Sequence, residues 1–131
     1  MNALTWFAIV SWTLLTSVMF GGYSLLRLLQ KNKLSPEQIV LFRAGHAHAG
    51  VLLAVSLIYY QYMRVTSLLP GTRFAASAAL LTGIVLQSGG FFWRAFVDKE
   101  DKALGSRLTV TGATLLAISV FVLVYGLVLA A

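Results

Sequence analysis

The chain has 131 residues, of which 59% are hydrophobic and only 11% are charged, and it contains no cysteine. A soluble domain is about 25% charged, so this composition excludes an ordinary soluble domain. The missing cysteines exclude disulfides, thiolate metal sites and cysteine nucleophiles. The formal net charge of +6 comes from basic residues near the ends of apolar segments, which argues against nucleic acid as a partner.

Four apolar segments predict four membrane-spanning helices, at about residues 3–30, 36–63, 73–97 and 104–131. Each is long enough to cross roughly 30 Å of hydrocarbon as a helix. The segments are continuous rather than alternating in polarity, which disfavours barrel strands. Because the loops are short, consecutive helices should be antiparallel neighbours. We therefore expect one domain over residues 1–131, an all-α integral membrane four-helix bundle.

Local signals mark the boundaries of these segments. The first basic residue is Arg27, so the first segment is expected to be a retained span rather than a signal peptide. Ser35–Gln38 has the composition of a capping box with proline in the first helical position. A turn is predicted at Pro70–Gly71, a solvated charged loop at Asp98–Lys102, and the start of the fourth helix just after Gly105–Ser106.

The basic residues are unevenly divided between the two sides of the membrane. Most of them surround the first and third loops, which lie on one side: Arg27, Lys31, Lys33, Arg43, Arg94, Lys99, Lys102 and Arg107. The second loop has only Arg64 and Arg73. By the positive-inside rule, loops 1 and 3 are expected to be cytoplasmic and both termini outside, in a cell (inner) membrane. The lipid bilayer is then the main partner.

The two halves of the chain show a faint repeat. One match is a glycine pair with an aromatic residue that would end a helix and is followed by an arginine, at Gly21–Tyr23 and Gly89–Phe91. A second match is between Leu52–Ser56 and Leu115–Ser119. These matches predict a two-plus-two repeat about an axis along the membrane normal. The repeat would pair the two histidines with threonines, His46 with Thr109 and His48 with Thr111.

Aromatic residues gather near the predicted helix ends, where anchoring at the membrane interface accounts for most of them. Toward the outer side these are Trp6, Tyr59, Tyr60, Tyr62, Phe74 and Tyr125. Phe91–Trp93, toward the inner side, could instead form an aromatic wall beside a cofactor.

Both histidines lie in Gly45–Gly50, inside the second apolar segment. Ionisable residues in such a segment are expensive and indicate a functional site. Helix rise places His46 about 15 Å from the helix start and His48 about 3 Å deeper. The two side chains are about 200° apart around a regular helix, so they cannot ligate one metal together. His46 shares its face with Arg43 and is expected to be the inward ligand or proton carrier, whereas His48 should face a second groove or a neighbouring helix. Either ring could instead be structural.

Several polar and glycine residues fall at the same depth as the histidines. They are Gln87 in the third helix, Gly21 and Gly22 in the first, and Thr111, Gly112 and Thr114 in the fourth. Two interpretations stay open. The glycines could let helices pack closely, with Gln87 in an interhelical hydrogen bond. Alternatively, they could clear space for a flat cofactor or small substrate that Gln87 and a histidine contact.

Arg43 has two candidate roles in the second helix. Its side chain could extend to the phospholipid surface, or it could pair with a haem propionate, a quinone head group or a substrate carboxylate. Apart from Glu37, in the first turn of the second segment, no acidic residue lies within the apolar segments. That absence disfavours a proton pump or cation antiporter, which usually relies on buried carboxylates.

The segment Arg43–Gly50 resembles the His-x-His-then-Gly helices of the NnrS family. It is also similar to the Arg-x-x-His segment of nitric-oxide-reductase-type haem–copper proteins, and to spans of small four-span bacterial membrane proteins of unassigned function. The resemblance covers one helix, and it implies that His46 is an axial haem ligand. The chain has only two histidines, so the copper site of those reductases, and their catalysis, are not expected.

These observations predict a polytopic membrane protein with a histidine-containing intramembrane pocket. The sequence disfavours catalysis there, since no nucleophile–base–acid set, phosphate loop or carboxylate pair is present. The leading hypothesis is a redox-accessory protein that contacts haem, a metal ion or a quinone. Its cofactor-binding residues would be His46, His48, Arg43 and Gln87, with His46 as the metal ligand. Two alternatives stay open: a small transporter or channel subunit, and a structural or assembly subunit of a homo-oligomer or larger membrane complex.

Overall fold

The computed structural model describes residues 2–31, 33–97 and 102–131. They form four helices, α1 (Ala3–Gln30), α2 (Pro36–Val65), α3 (Pro70–Phe96) and α4 (Lys102–Val128). All four are long and apolar enough to cross a membrane, and the described ranges contain no strand. The predicted all-α four-helix bundle of membrane-spanning helices is confirmed.

The start of α2 follows the predicted capping box. The Ser35 hydroxyl accepts a hydrogen bond from the Gln38 amide at 3.3 Å, and the Gln38 side chain accepts one from the Ser35 amide at 2.9 Å. Two of the otherwise unpaired amides at this helix end are therefore satisfied by side chains. Pro36 follows in the first helical position, where its missing N–H costs nothing.

Three other boundary predictions are wrong. Pro70 is the first residue of α3, because its fixed φ and missing amide suit a first helical turn as well as a loop. Gly105–Ser106 lie inside α4, and the glycine pairs at 21–22 and 89–90 lie inside α1 and α3 rather than at their ends. Of the predicted loop at Asp98–Lys102, residues 98–101 lie outside the described part, and Lys102 begins α4.

The helices pack in chain order, with α2 and α3 in the middle. The most extensive contact is between α3 and α4, followed by α2 with α3 and α1 with α2, whereas α1 and α4 hardly touch. The C-terminal ends of α1 and α3 and the N-terminal ends of α2 and α4 meet at one end of the bundle, here called the basic end. The opposite end, which carries the two chain termini, is called the far end.

Small residues spaced seven apart bring α3 and α4 together. The four buried residues of α4 are Gly105, Gly112, Ser119 and Gly126. A Cβ added at Gly83 would lie 2.9 Å from the carbonyl oxygen of Gly112, and one added at Gly90 would lie 2.5 Å from that of Gly105. Such backbone contact is possible only without side chains. The seven-residue spacing keeps Gly105 and Gly112 of α4 facing Gly90 and Gly83 of α3.

Hydroxyl groups connect α1, α2 and α4 in the half nearer the far end. The hydroxyls of Ser11 and Ser56 lie 3.0 Å apart, and those of Ser11 and Tyr60 lie 3.3 Å apart. The Tyr59 hydroxyl donates to the carbonyl of Ser119 at 3.1 Å. The prediction that Tyr59 and Tyr60 anchor the membrane interface is therefore wrong, because both are buried and their hydroxyls are used between helices. The other four outer aromatic residues are exposed, as interface anchors would be.

Polar contacts also join three helices at the basic end. The Lys102 ammonium lies 2.6 Å from the Glu37 carboxylate, joining α4 to α2. The Gln38 side chain donates to the carbonyl of Ala95 at 2.9 Å, joining α2 to the last turn of α3. The basic end is thus closed around α2, α3 and α4, while α1 is held mainly along its contact with α2.

Candidate ligand site

His46 packs against the first helix. A Cβ added at Gly22 would lie 3.0 Å from both Cε1 and Nε2 of the His46 ring. The imidazole therefore lies over the bare backbone of α1, and Gly22 makes the room for it. The ring is half-buried. His46 and Gly22 were predicted to lie at the same depth, and in the structure they are in direct contact.

His48 faces the other neighbour of α2. Its Nδ1 lies 2.8 Å from the carbonyl of Ala44, and because a carbonyl only accepts, Nδ1 carries the proton. In the neutral ring, Nε2 is then the acceptor. The ring also packs against Phe91 of α3, with centroids 5.0 Å apart, and it borders a shallow apolar recess with Ala47, Val51 and Leu52. The predicted separation of the two histidines onto different faces is confirmed.

The remaining predicted residues lie away from His46. The backbone of Gln87 contacts α4, because a Cβ at Gly112 would meet the Gln87 backbone nitrogen. The Gln87 carbonyl oxygen Oε1 is buried and has no hydrogen-bond partner among the described residues. Arg43 is exposed, and so are Thr111 and Thr114. The shared depth was predicted correctly for Gly22 and Gly112, but the two threonines point away from the bundle, and His46 and Gln87 belong to different helix pairs.

Equivalent contacts recur in the two halves of the chain. Gly22 lies under the His46 ring, and Gly90 lies against the Thr109 hydroxyl. The predicted repeat pairs Gly22 with Gly90 and His46 with Thr109, so the same contact occupies corresponding places in the α1–α2 and α3–α4 pairs. The duplication itself stays a prediction. The bulkier imidazole fits where α1 packs less extensively on α2 than α4 does on α3.

A cavity of about 230 Å³ lies where α1, α2 and α3 meet, one helical turn from His46 toward the far end. It is lined by Leu14, Ser17 and Val18 of α1, Ala49 and Leu53 of α2, and Ile84, Val85, Ser88 and Phe92 of α3. On its rim, Ser17 and Val85 are exposed. His46 is not in this lining, but it lies three residues before Ala49 and so on the same face of α2. We call this space the three-helix cavity.

Ser88 is the most informative residue of the three-helix cavity. It is only 5% exposed, and its hydroxyl has no hydrogen-bond partner among the described residues. A helical serine in an apolar segment usually donates to the carbonyl one turn back, as Ser17 does to Thr13 at 3.3 Å. Leaving a buried hydroxyl unpaired costs about 1–3 kcal/mol. The Ser88 side chain therefore has an unused donor and acceptor, whereas the hydroxyl of Ser17, the other polar side chain of the lining, is already bonded.

The lining limits the chemistry of a ligand. It contains seven apolar side chains and two serines and no charged residue, so it suits a neutral molecule with a polar atom. An apolar cavity of about 150 Å³ is enough for one benzene ring, so the three-helix cavity is large enough for a substituted six-membered ring. Haem fits less well at His46, because the Nε2 edge that would ligate iron lies against Gly22. A haem there would require α1 to move away from α2.

Ser88 and Ser17 were not among the residues predicted for the site. Both are single hydroxyls in apolar segments, and the only available signal was that such hydroxyls often bond across helices. The seven-residue spacing of Gly105, Gly112, Ser119 and Gly126 was a stronger signal, and it would have identified the α4 face that packs on α3. Once that face is assigned, Gln87 belongs to the α3–α4 contact rather than to the histidines.

No protein-family model, curated protein or solved structure matches the chain significantly. The four apolar helices define the class, a polytopic membrane protein in contact with the lipid bilayer. Anything more specific depends on the three-helix cavity and the residues beside it.

Proposed function

We propose that this protein binds the head group of a lipid-soluble quinone in the three-helix cavity, as a redox-accessory protein of the membrane. The unpaired, buried hydroxyl of Ser88 is the observation that carries the proposal. A quinone carbonyl would accept a hydrogen bond from that hydroxyl once rotation about the Ser88 Cα–Cβ bond turns the buried oxygen toward the cavity, and the bond would remove the cost of leaving the hydroxyl unpaired. The ring would lie against the apolar side chains of the lining.

The position of the cavity also supports a membrane-soluble ligand. Ser88 lies eight residues before the end of α3, which is about 12 Å along the helix from the basic end. The rim of the three-helix cavity includes the exposed residues Ser17 and Val85. A molecule dissolved in the bilayer could therefore reach the cavity from the side, between α1 and α3, without crossing water.

His46 would be the second polar group near the bound head group. It lies on the α2 face that continues into Ala49 and Leu53 of the lining, one turn nearer the basic end. A ligand carbonyl or hydroxyl directed toward the basic end would approach this imidazole. Contact of His46 with haem or a metal ion is a separate form of the proposal, and the packing of Nε2 against Gly22 makes it the weaker one.

A binding measurement tests the proposal. Wild-type protein in lipid nanodiscs is titrated with a short-chain ubiquinone, and quenching of tryptophan fluorescence gives the dissociation constant. Ser88→Ala removes one neutral hydrogen bond, worth about 0.5–1.5 kcal/mol, so binding should weaken about two- to tenfold. Ser24→Ala is the matched control, because the Ser24 hydroxyl already bonds the carbonyl of Phe20 on an exposed face of α1.

Stability separates a ligand role of Ser88 from a structural one. Removing an unpaired buried hydroxyl, as Ser88→Ala does, should leave the free protein equally stable or more stable. Saturable binding that Ser88→Ala weakens without loss of stability supports the proposal, and absence of saturable quinone binding by the wild type rejects it. An absorption spectrum with metal analysis of the purified protein decides the haem and metal forms independently, since either cofactor would be detected directly.

A further inference from the structure

A second cavity continues the three-helix cavity along the same side of the bundle. It has a volume of about 290 Å³ and is lined by Val10, Leu14, Leu81, Thr82, Val85 and Leu86. Leu14 and Val85 also line the three-helix cavity. The two spaces therefore meet at these shared side chains and form one groove between α1 and α3, which we call the α1–α3 groove.

The α1–α3 groove has a direction and a length. Its lining on α3 runs from Phe92 to Leu81, which are eleven residues or about 16 Å apart along the helix axis. Ser88 lies near the end of the groove that is closer to the basic end, and the part lined by Leu81 and Thr82 extends toward the far end. Only Thr82 supplies a polar side chain to the second cavity.

From this continuity we infer that the α1–α3 groove holds the linear hydrocarbon tail of the ligand, with the tail pointing toward the far end. The inference rests on the proposed function, and it narrows the ligand class to quinones with an isoprenoid or alkyl tail. A tail of this kind gains affinity by burying apolar surface against Leu14, Leu81 and Val85. Limited contact between α1 and α3 leaves room for the tail to enter sideways from the lipid.

The absence of charged side chains from the lining of the α1–α3 groove favours a quinone over a phospholipid as the occupant. Neither cavity has a charged residue in its lining. A phosphate head group would need basic partners, and a buried anion without them is strongly disfavoured. A quinone has the same kind of tail but a neutral head group that needs only a hydrogen-bond donor, and Ser88 offers one.

Filling the tail section of the groove tests this inference. Thr82 is exposed on α3, so Thr82→Phe adds a bulky side chain beside the tail without disturbing the core of the helix bundle. Binding of decyl-ubiquinone and of tail-free ubiquinone is measured in nanodiscs, with concentrations expressed per lipid. Thr82→Phe should weaken decyl-ubiquinone at least about tenfold and change tail-free ubiquinone less than about twofold. Thr114→Phe, on the exposed side of α4, is the matched control and should affect neither.

The outcomes separate the groove from the head-group site. If Ser88→Ala weakens both ligands but Thr82→Phe weakens neither, the tail assignment is wrong and the head-group site stands. If the wild type binds neither quinone, the proposed function fails and this inference fails with it. If increasing the phosphatidylglycerol content of the nanodisc displaces decyl-ubiquinone, the occupant is a phospholipid, which overturns the inference. Helical circular dichroism equal to the wild type's confirms that each variant is folded.

Discussion

Replacing Gly90 with alanine should separate α3 from α4, whereas the same change at Gly89 should not. A Cβ at position 90 would lie 2.5 Å from the carbonyl oxygen of Gly105 and 2.8 Å from the backbone nitrogen of Thr109. Ordinary contact begins at 3.4 Å, so the helices must move apart by about 0.9 Å. Both atoms belong to backbone and cannot rotate aside. At Gly89, nothing lies within 4 Å of the added carbon.

The size of the effect follows from these distances. Inserting a methyl group into a well-packed contact typically costs about 1–3 kcal/mol. Alanine gains up to about 1 kcal/mol over glycine in helix propensity, and this gain applies at both positions. Gly90→Ala should therefore lower the free energy of unfolding by up to about 2 kcal/mol, and it should be about 1–3 kcal/mol less stable than Gly89→Ala, because the helix-propensity gain is common to both variants. Gly89→Ala should leave that free energy unchanged or raise it by up to about 1 kcal/mol.

Reversible unfolding in mixed micelles provides the assay. The mole fraction of sodium dodecyl sulfate is increased, and helical circular dichroism and tryptophan fluorescence are followed for the wild type and the two variants. Because Gly89 and Gly90 are adjacent in α3, depth in the membrane and local helix stability are nearly the same for both. Equal stability of the two variants would refute the close packing of α3 on α4.

Two further predictions concern the contacts of α1 with α2. Removing the hydroxyl contact between Ser11 and Tyr60, as Tyr60→Phe, should lower the free energy of unfolding by about 0.6 kcal/mol, and at most about 1.7 kcal/mol, whereas Ser11→Ala should lower it further because it also removes the contact with Ser56. A double-mutant cycle in the same unfolding assay measures the coupling, and a coupling of zero would show that the hydroxyls do not bond. Gly22→Ala should displace the His46 ring, because the added carbon would lie 3.0 Å from Nε2, and shift the imidazole signals in a histidine-labelled NMR spectrum. Gly21→Ala has nothing within 4 Å and should leave them in place, so equal shifts for both variants would contradict the assigned contact.

Much of the fold could be predicted because it depends on length, apolar composition and local capping. The four spans required only segments long enough to cross the hydrocarbon, and the capping box at Ser35–Gln38 is a local pattern that operates in any surroundings. Pro70 was assigned to a turn because proline is equally compatible with a loop and with a first helical turn. That ambiguity is resolved only by the backbone around it.

The packing faces were harder to predict, because a membrane helix is apolar on all sides and hydrophobic periodicity does not identify its inner face. Tyr59 and Tyr60 illustrate this difficulty: their position near a helix end is typical of interface anchors, yet both are buried. The separation of His46 and His48 onto different faces of α2 was easier to predict, since residues at i and i+2 lie about 200° apart around a helix. The unpaired state of the Ser88 hydroxyl could not be predicted, because a sequence does not reveal whether a serine hydroxyl bonds its own helix.

Photoaffinity labelling tests the three-helix cavity most directly. Wild-type protein in nanodiscs is irradiated with an azido-ubiquinone, and the modified peptides are identified by mass spectrometry, with and without excess unlabelled quinone. Labelling that competes away and falls on α1 near Leu14 and on α3 near Val85 and Ser88 is the predicted result. Competed labelling confined to the recess of His48 on α2, or labelling that unlabelled quinone does not reduce, would contradict a quinone site between α1, α2 and α3.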